Sequence, residues 1–327
     1  MSQSDSQQSR ADEEPAPTVL AALRGQREGL SWSAARRLLQ SHCVAINGVL
    51  CVDEARRLTP GETLSIGTHP FPAPPSDDDV AVLHVDQDIV VVDKPSGMVT
   101  LRRLSERSWS AARRAVAPTL DEAVPRLIAR HAADRRGTKL RQRRPQLLSV
   151  HRIDRDTSGL LVFARNEESK QKIIQQFAEH AAVRRYLAVI PGTIVDQTIR
   201  SQLIRDRGDG LRGSTSDTSI GQHAVTHVST LRRVGEYSEL ECRLETGRTN
   251  QIRIHLAELG HPVCGDIKYR GPVGVPGMED FSNAPRLALH AAELRFVHPT
   301  TGETMHFELP WPVDMRRFLN RLQAGRR

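Results

Sequence analysis

Apolar residues in the middle of the chain form short runs of strand length on either side of a charged loop. LLSV (residues 147–150) and LLVFA (residues 160–164) are such runs, and both lack the spacing of an amphipathic helix. Between them, DRDTSG (residues 154–159) is rich in residues that favour turns. The pattern predicts two buried strands joined by a loop, with Asp154 placed where the backbone reverses direction.

A small module is predicted ahead of these strands, between residues 19 and 66. SWSAARRLLQ (residues 31–40) has the pattern of an amphipathic helix, which Ser31 or Ser33 can cap. This helix would turn two leucines inward and place two arginines together outside: Leu38, Leu39, Arg36 and Arg37. Asn47-Gly48, between two apolar stretches, indicates a tight hairpin.

Composition predicts where the domains begin and end. Residues 1–16 are polar, acidic and contain proline, which is typical of a disordered tail and not of a signal peptide. Residues 67–79, GTHPFPAPPSDDD, hold four prolines and three consecutive acids, which predicts a linker. We therefore expect a first domain over residues 17–66 and a second over residues 80–327.

Two helices and a strand are predicted after the charged loop. KQKIIQQFAEH (residues 170–180) has helical spacing, and VRRYLAVI (residues 183–190) is a strand that contains Tyr186. A second helix is expected to begin after a cap at Thr249 and to stop at Gly260. Its predicted buried stripe is Ile252, Leu256 and Leu259. Arg253 projects off that stripe near the positive end of the helix, where it can meet a carboxylate or phosphate.

Positive charge is concentrated in one segment. The chain has a net charge of +7 and a pI near 9.7, which favours a polyanionic partner. Residues 101–150 contain 13 Lys and Arg against four acids. Residues 101–146 are therefore predicted to be a basic segment. It could be partly disordered, a solvated helix face, or an added arm that contacts RNA.

Several classes of site and location are disfavoured. The four cysteines form no CxxC pair, which indicates reduced core thiols and a cytoplasmic protein. His255, His261 and Cys264 lack the spacing of a usual zinc site, so no metal or other cofactor is expected. GDGLRG (residues 208–213) matches a dinucleotide-binding motif formally, but no helix pattern follows it. No apolar run approaches the length of a membrane span.

HRIDRDTSG (residues 151–159) closely resembles the HRLDxxTSG motif of the RluA-type RNA pseudouridine synthases, with Ile153 where leucine is usual. Four further blocks follow the family's order along the chain. They are DQDIVVVDKPSG (residues 86–97), Arg185-Tyr186, TGRTNQIRIHLAELGHPVCGD (residues 246–266) and LALHAAELRFVHPTTGE (residues 287–303). The resemblance covers nearly everything after about residue 80. It implies that the basic segment at residues 101–146 is an insertion, because family members are usually shorter there.

The resemblance implies an α+β fold, with a catalytic domain built on a long, bent, mostly antiparallel sheet flanked by helices. It implies that Asp154 is the catalytic carboxylate and that Tyr186 stacks on a flipped uracil. It also makes Arg253 the partner that keeps Asp154 ionised, lowering its pKa. These three residues are the predicted catalytic group.

RNA-contacting residues are predicted around this group and in the first domain. Arg152 is expected to fill the gap left by the extruded nucleotide, while Lys94 is expected near the floor of the site. Arg248 and Asn250, where the family commonly has histidine, are expected to contact RNA. The first domain resembles the S4 RNA-binding domain, with Arg36 and Arg37 at matching positions and His42 in place of the usual glycine.

The expected partner is RNA, with large-subunit ribosomal RNA or a ribosome assembly precursor favoured over tRNA, and the expected state is a monomer outside any membrane. Two other classes stay open at this point. One is an RNA-binding or ribosome-associated protein without activity. The other is a hydrolase that uses Asp154 and Asp156 as a carboxylate pair.

Overall fold

The computed structural model describes residues 16–58, 61–136 and 147–325. These residues form two compact units. The first unit combines the chain up to Pro74 with Ser108–Ala117, and the second combines Pro75–Arg107 with the chain from Pro118 onward. The predicted basic insertion therefore contributes to both units. Its most basic stretch, residues 137–146, lies outside the described residues.

The first unit packs helices against a small antiparallel sheet. Its elements are α1 (Val19–Gln26), α2 (Trp32–Gln40), β1 (Val44–Ile46), β2 (Val49–Leu50), β3 (Leu64–Ile66) and α3 (Ala111–Ala115). The three strands have the order β2-β1-β3. Apolar side chains of α1, α2 and the sheet form one buried cluster around Leu23, Leu39 and Ile46.

Local sequence explains the turns of this unit. The Ser31 hydroxyl accepts a hydrogen bond from the Ala34 backbone N–H at 3.1 Å, so Ser31 caps α2 as predicted. Asn47 and Gly48 both have positive φ angles, 51° and 72°, which suits the two-residue hairpin between β1 and β2. His42 also has a left-handed backbone, with φ at 60°, directly after α2. A glycine would suit that position better.

In its described residues, the second unit contains one large sheet and four α-helices. Its strands are β4 (Ala81–Val85), β5 (Ile89–Lys94), β6 (Leu148–Ser149), β7 (Ser158–Ala164), β8 (Val183–Pro191), β9 (Gln197–Ile204), β10 (Gly213–Thr215), β11 (Gln222–Val234), β12 (Tyr237–Leu244), β13 (Leu289–Val297) and β14 (Thr304–Glu308). Its helices are α4 (Leu120–Arg136), α5 (Glu167–Ala178), α6 (Gln251–Glu258) and α7 (Val313–Gln323).

The strands of the second unit have the order β10-β9-β11-β12-β8-β13-β7-β5-β4, with β14 added to β13 and β6 added to β7. Among the described strands, β7 and β13 pair in parallel and the other pairs are antiparallel. The predicted strands at 147–150 and 160–164 are confirmed as β6 and β7, which pair with each other. The α+β class with a large sheet flanked by helices is confirmed.

Both faces of the central strands are covered. In β7, Leu161 and Phe163 belong to the largest core cluster, while Leu160 and Val162 belong to a cluster on the opposite face. Alternate side chains of a strand point to opposite faces, so a strand covered on both sides must be apolar throughout. This explains the continuous apolar run that follows the charged loop.

Gly159, at the end of the charged loop motif, allows β7 to lie close to β13. Its φ angle is 113°, and a side chain at this position would collide with the Ala291 carbonyl of β13. Gly159 and Ala291 are register partners in the parallel pairing. The glycine is therefore required both by its backbone conformation and by this close approach.

The acidic end of the predicted linker belongs to the second unit. Asp77–Asp79 forms a single 3₁₀ turn, and Asp77 accepts two hydrogen bonds of 2.7 Å from Arg126 of α4. Asp78 accepts one from Arg130 at 3.1 Å. These pairs are at least partly exposed and contribute little stability. They do neutralise two arginines of the basic insertion inside the protein.

The four cysteines are buried and free, as predicted for core thiols. Burial raises the pKa of Cys242 and Cys264 to about 12, so neither forms a reactive thiolate near neutral pH. Within the described ranges, the helices are too short or too polar to span a bilayer.

Candidate active site

A cavity of about 600 Å³ opens in the second unit beside the loop that joins β6 to β7. Side chains from that loop, from β8, from α5 and from the segment before α6 line it. The polar residues most relevant to chemistry are Arg152, Asp154, Arg184, Tyr186, His223 and Arg248. The structure therefore brings four of the predicted site residues to one cavity: Asp154, Tyr186, Arg152 and Arg248.

The loop that carries Asp154 is held by its backbone carbonyl groups. The donors come from the segment that follows β5, and each bonds a residue next to or near Asp154. They are Thr100 Oγ1 to Ile153 O (2.9 Å), Gly97 N to Arg155 O (2.8 Å) and Ser96 Oγ to Asp156 O (2.7 Å). These bonds fix the backbone on both sides of Asp154 and leave its carboxylate facing the cavity. The residues after β5 thus position Asp154, the predicted catalytic carboxylate.

Lys94 has a different role from the predicted RNA contact. It is 0% exposed, and its Nζ donates to the carbonyl oxygens of Pro95 (2.9 Å), Met98 (2.8 Å) and Arg155 (2.9 Å). All three ammonium protons are used inside the protein, so the prediction that Lys94 contacts RNA is wrong. Burial lowers the pKa of Lys94 to about 7, against the opposing effect of the nearby Asp156 and Asp154 carboxylates.

Asp154 is surrounded by protein, which raises its pKa above the usual 3.8 by desolvation. Arg253 opposes this most strongly, followed by the backbone N–H of Asn250, which donates to the carboxylate, and then by Arg152 and Lys94. Arg253 thus lowers the pKa of Asp154 as predicted, but desolvation has the larger effect, so the pKa stays above its usual value. A raised pKa means that the ionised carboxylate is less stable in the folded protein than in water. It is therefore a better nucleophile and proton acceptor.

Asp156 lies two residues away in a different environment. It binds the Arg155 guanidinium through two hydrogen bonds, at 2.8 and 3.1 Å. Although burial opposes it, this pairing lowers the pKa of Asp156. Asp156 does not line the cavity. The two carboxylates therefore do not form a pair across one substrate, which removes the structural basis for a glycosidase-like hydrolase.

Arg253 is bound to another acid. Its guanidinium donates to both oxygens of Asp266, at 2.6 and 2.8 Å, and both side chains are buried, with exposures of 5% and 0%. Its electrostatic effect on Asp154 remains, but no direct hydrogen bond between them is present among the described contacts. Arg253 thus acts on Asp154 through its charge, from a position fixed by Asp266.

Asn250 connects these groups. It has a left-handed backbone, with φ at 59°, and is the N-cap residue of α6, so the prediction that Thr249 caps this helix is wrong. Its side-chain oxygen accepts from Arg253 at 3.0 Å, and its amide donates to the Tyr269 hydroxyl at 3.0 Å. Asparagine tolerates the left-handed region better than most residues. Because its side chain is occupied in this way, Asn250 positions Arg253, and the predicted RNA contact is not supported.

The rest of α6 also differs from the predicted pattern. Every residue from Gln251 to Ala257 is buried, and Leu259, predicted to complete the buried stripe, is 40% exposed. The Gln251 side chain bonds Thr246 and the backbone of Val225 at 2.8 and 2.9 Å. A helix buried on all sides can hold its arginine and histidine only because each has a partner.

Tyr186 and Arg184 of β8 face the cavity together. Tyr186 is buried, which raises its pKa to about 12, so its hydroxyl stays protonated at all ordinary pH values. Arg184 is also buried, donates to the Glu245 carbonyl at 2.8 Å and lies 5.0 Å from the Phe177 ring. Arg184 was not predicted, although it is two positions from Tyr186 and so shares its strand face.

Arg152 and Arg248 are exposed where they line the cavity. The Arg248 side chain also donates to the His223 carbonyl at 3.1 Å, which fixes its stem and leaves donors for a ligand. The predicted RNA-binding pair Arg36 and Arg37 belongs to the first unit and lies exposed on α2. Arg36 pairs with Glu54 at 2.7 Å.

Asp86, Asp88 and His298 bring three potential metal ligands within 4.8 Å of one another among the described residues. The Asp86 carboxylate already accepts from His298 and from the backbone N–H groups of Asp88 and Ile89. None of the three lines the cavity. Their hydrogen bonds explain the cluster as the turn between β4 and β5.

The chain is similar to known proteins over most of its length. Residues 88–258 match the model of the RNA pseudouridylate synthase family. An uncharacterised RNA pseudouridine synthase of Bacillus subtilis, YlyB, is 37% identical over 290 residues, covering 86% of each chain. Ribosomal large subunit pseudouridine synthase D of Zymomonas mobilis is 31% identical over 305 residues, covering 91% of each chain.

The fold has the same neighbours. The structure of human RNA pseudouridylate synthase domain containing 4 superposes with a TM-score of 0.55 at 21% identity, covering 74% of this chain and 93% of that one. At that identity the match supports the fold alone, while the sequence relatives support the family. The predicted family is confirmed: the chain belongs to the RNA pseudouridine synthases of the RluA type, which are isomerases.

Proposed function

We propose that this protein isomerises uridine to pseudouridine in large-subunit ribosomal RNA, with Asp154 as the catalytic carboxylate. The observation that carries the proposal is the placement of Asp154 in the cavity, with a raised pKa and with its backbone held on both sides. Its neighbour Asp156 is neutralised by Arg155. Glu245 also lines the cavity, but its carboxylate pairs with His227 at 2.6 Å. This leaves Asp154 as the cavity carboxylate with a raised pKa.

The reaction breaks the bond between N1 and C1′, turns the uracil and joins its C5 to C1′. The C5 proton passes to solvent and N1 takes up a proton, so that the product is an isomer of the substrate. Asp154 either attacks C1′ or stabilises a cationic sugar, and then takes part in removing the proton. Both routes need an ionised carboxylate in a site that holds the detached base. The arrangement of this cavity supports such a role for Asp154.

Binding of the target nucleotide follows from the other cavity residues. A uracil must leave the RNA stack to reach Asp154, and an aromatic ring can receive it by stacking. Tyr186 supplies that ring, and its protonated hydroxyl remains available as a donor. Arg152 and Arg248 are exposed, so they can fill the gap that the uracil leaves in the RNA base stack and bind the flanking phosphates.

The raised pKa of Asp154 gives a pH dependence. Only ionised Asp154 is active, so kcat/KM should fall as the pH drops through its pKa, with a midpoint above 3.8. Arg152→Gln removes one positive charge near Asp154, which raises that pKa and should move the midpoint to higher pH. Arg253→Gln should move it further, since Arg253 has the larger effect. The measurement is the pH profile of kcat/KM for the three proteins.

Arg152 provides the more decisive comparison, because it is exposed and its loss leaves no buried acid unpaired. A circular dichroism spectrum at each pH controls for unfolding. A midpoint that stays fixed or moves to lower pH in Arg152→Gln would contradict the assignment of Asp154 as the titrating group.

The ribosomal substrate is proposed because relatives from Zymomonas mobilis, Xanthomonas campestris and Xylella fastidiosa bear the name ribosomal large subunit pseudouridine synthase D. The first unit, with its capped helix, tight hairpin and exposed Arg36 and Arg37, supports an S4-like role in holding that RNA. Mapping pseudouridine in all RNA of a deletion strain tests the proposal. We expect at least one site missing from large-subunit ribosomal RNA, and a site missing from tRNA alone would overturn it.

A further inference from the structure

The heptapeptide SWSAARR occurs twice in the chain, at residues 31–37 and at residues 108–114. The first copy forms the start of α2, and the second lies in the basic insertion. The chain has three tryptophans, and two of them belong to these copies. The third, Trp311, is buried and donates to Glu239 at 2.7 Å. An identical run of seven residues at two distant positions calls for an explanation that the catalytic chemistry does not provide.

Both copies belong to the first compact unit, where one acidic turn connects them. Arg36 of the first copy pairs with Glu54 at 2.7 Å, and Arg113 of the second copy approaches Asp53 at 3.8 Å. Because Asp53 and Glu54 are consecutive residues, the two copies lie side by side on this unit. We name their combined surface, residues 31–37 and 108–114, the twin patch.

Each tryptophan of the twin patch is covered by a guanidinium group. The Arg24 guanidinium lies 4.3 Å from the Trp32 ring centre, and the Arg113 guanidinium lies 3.8 Å from that of Trp109. Trp32 is 47% exposed, and Trp109 is half-buried. Paired rings and guanidinium planes at a surface are the groups on which unstacked RNA bases stack.

The two copies differ in helix register. Trp32 is the first residue of α2 and Ser31 is its cap, whereas α3 starts at Ala111 and is capped by Ser110. Local backbone structure is therefore not what the copies share. They share a tryptophan followed by a pair of arginines, which are groups for surface recognition. A segment needed only to pack against the unit would not require those groups.

The electrostatics of the unit suit a polyanion. Its described residues include eight arginines and four acids. Three of those acids, Asp53, Glu54 and Glu62, already pair with arginines of the unit. The unit keeps a net positive charge, and the twin patch holds half of its arginines.

We propose that residues 108–114 form a second RNA-contacting site beside residues 31–37, so that the twin patch binds two neighbouring stretches of the same RNA. Each copy offers a tryptophan for stacking on a base and an arginine pair for phosphates. The proposal rests on the proposed function for its choice of RNA as the partner. It assigns a role to the part of the basic insertion that lies in the first unit.

The test uses the full-length protein and a fluorescein-labelled stem-loop RNA with single-stranded flanks. Trp32→Ala and Trp109→Ala should each weaken binding by about 5-fold or more, since base stacking contributes roughly 1–3 kcal/mol per base. Arg113→Gln with Arg114→Gln should make the slope of log K against log salt shallower by about 0.7 for each lost phosphate contact. Arg36→Gln with Arg37→Gln should do the same.

The control is Arg316→Gln with Arg317→Gln, an adjacent pair of exposed arginines on α7, which should leave the slope unchanged. Folding is controlled by a fluorescence readout on milder variants. In Trp32→Phe protein, added RNA should still quench tryptophan emission through Trp109, while the buried Trp311 stays silent. The proposal would be overturned if RNA no longer quenched the fluorescence of Trp32→Phe protein. It would also be overturned if variants of the second copy had the RNA affinity and salt slope of the parent protein.

A failure of this proposal differs from a failure of the proposed function. Pseudouridine formation by the parent protein tests the function, whichever surface holds the RNA. If the parent protein is active but changes in the second copy leave RNA affinity unchanged, only the second contact site is refuted. An inactive parent that binds RNA through both copies would refute only the proposed function.

Discussion

Asp154→Asn is expected to lose turnover by about 10⁴-fold or more while unfolding at the same or a higher temperature than the parent protein. The loss follows because a neutral amide can neither attack C1′ nor stabilise a cationic sugar and remove the proton. The stability follows from the raised pKa of Asp154: the folded state holds the ionised carboxylate less easily than the unfolded state does, so its charge destabilises the protein above that pKa. Single-turnover assays and thermal unfolding measure the two effects.

Asp156→Asn is the matched control, because it makes the same chemical change two residues away. The pKa of Asp156 is lowered, so its ionised form stabilises the folded protein at neutral pH and this contribution is lost as the pH falls. Asp156→Asn should therefore lower the unfolding temperature and retain measurable turnover. If Asp154→Asn unfolded at a lower temperature than Asp156→Asn, the environment described for the two carboxylates would be wrong.

Lys94→Met is expected to have the second large effect, on stability and activity together. The change removes three hydrogen bonds that Lys94 donates to carbonyl groups, which costs about 3 kcal/mol at roughly 1 kcal/mol for each bond. One of these groups is the Arg155 carbonyl, next to Asp154, which keeps its bond from the Gly97 backbone N–H. Release of that loop should lower kcat by about 10²-fold even at temperatures where the protein stays folded. Urea unfolding and steady-state kinetics at low temperature measure the two effects.

Lys170→Met provides the control, since Lys170 lies on α5 and pairs with Glu167 at the surface. Its free energy of unfolding should change by less than about 0.5 kcal/mol. Weaker binding of RNA by Lys94→Met, with unchanged kcat and stability, would restore the RNA contact that was predicted from the sequence.

The sequence predicted the elements that depend on local pattern. The apolar runs around Asp154 became β6 and β7, Ser31 caps α2, and Asn47-Gly48 forms its hairpin. In each of these cases the deciding interactions lie within a few residues. Hydrophobic pattern and turn chemistry therefore suffice to predict them.

The roles predicted from the sequence were wrong where a charged side chain bonds a residue far away in the chain. Lys94 donates a hydrogen bond to a carbonyl group 61 residues away. Arg253 of α6 donates to Asp266, which lies beyond the end of that helix. A motif identifies such residues as important but does not distinguish contact with a ligand from support of a neighbour. Only the fold decides whether an arginine or lysine is buried with a partner or exposed to RNA.

The start of α6 shows a second kind of failure. Thr249 is a good capping residue, but the backbone enters the helix through Asn250 in the left-handed conformation. That conformation lets the Asn250 backbone N–H reach Asp154 while its side chain holds Arg253. The needs of the site thus override local capping preference, as is common at functional positions.

Release of tritium from RNA labelled at C5 of uridine tests the central claim most directly, because that proton leaves when C5 joins C1′. The purified parent protein, given large-subunit ribosomal RNA without added cofactor, should release tritium in proportion to the pseudouridine formed. Asp154→Asn should release none above background. Equal release by the two proteins, or no release by the parent from any cellular RNA, would contradict the account.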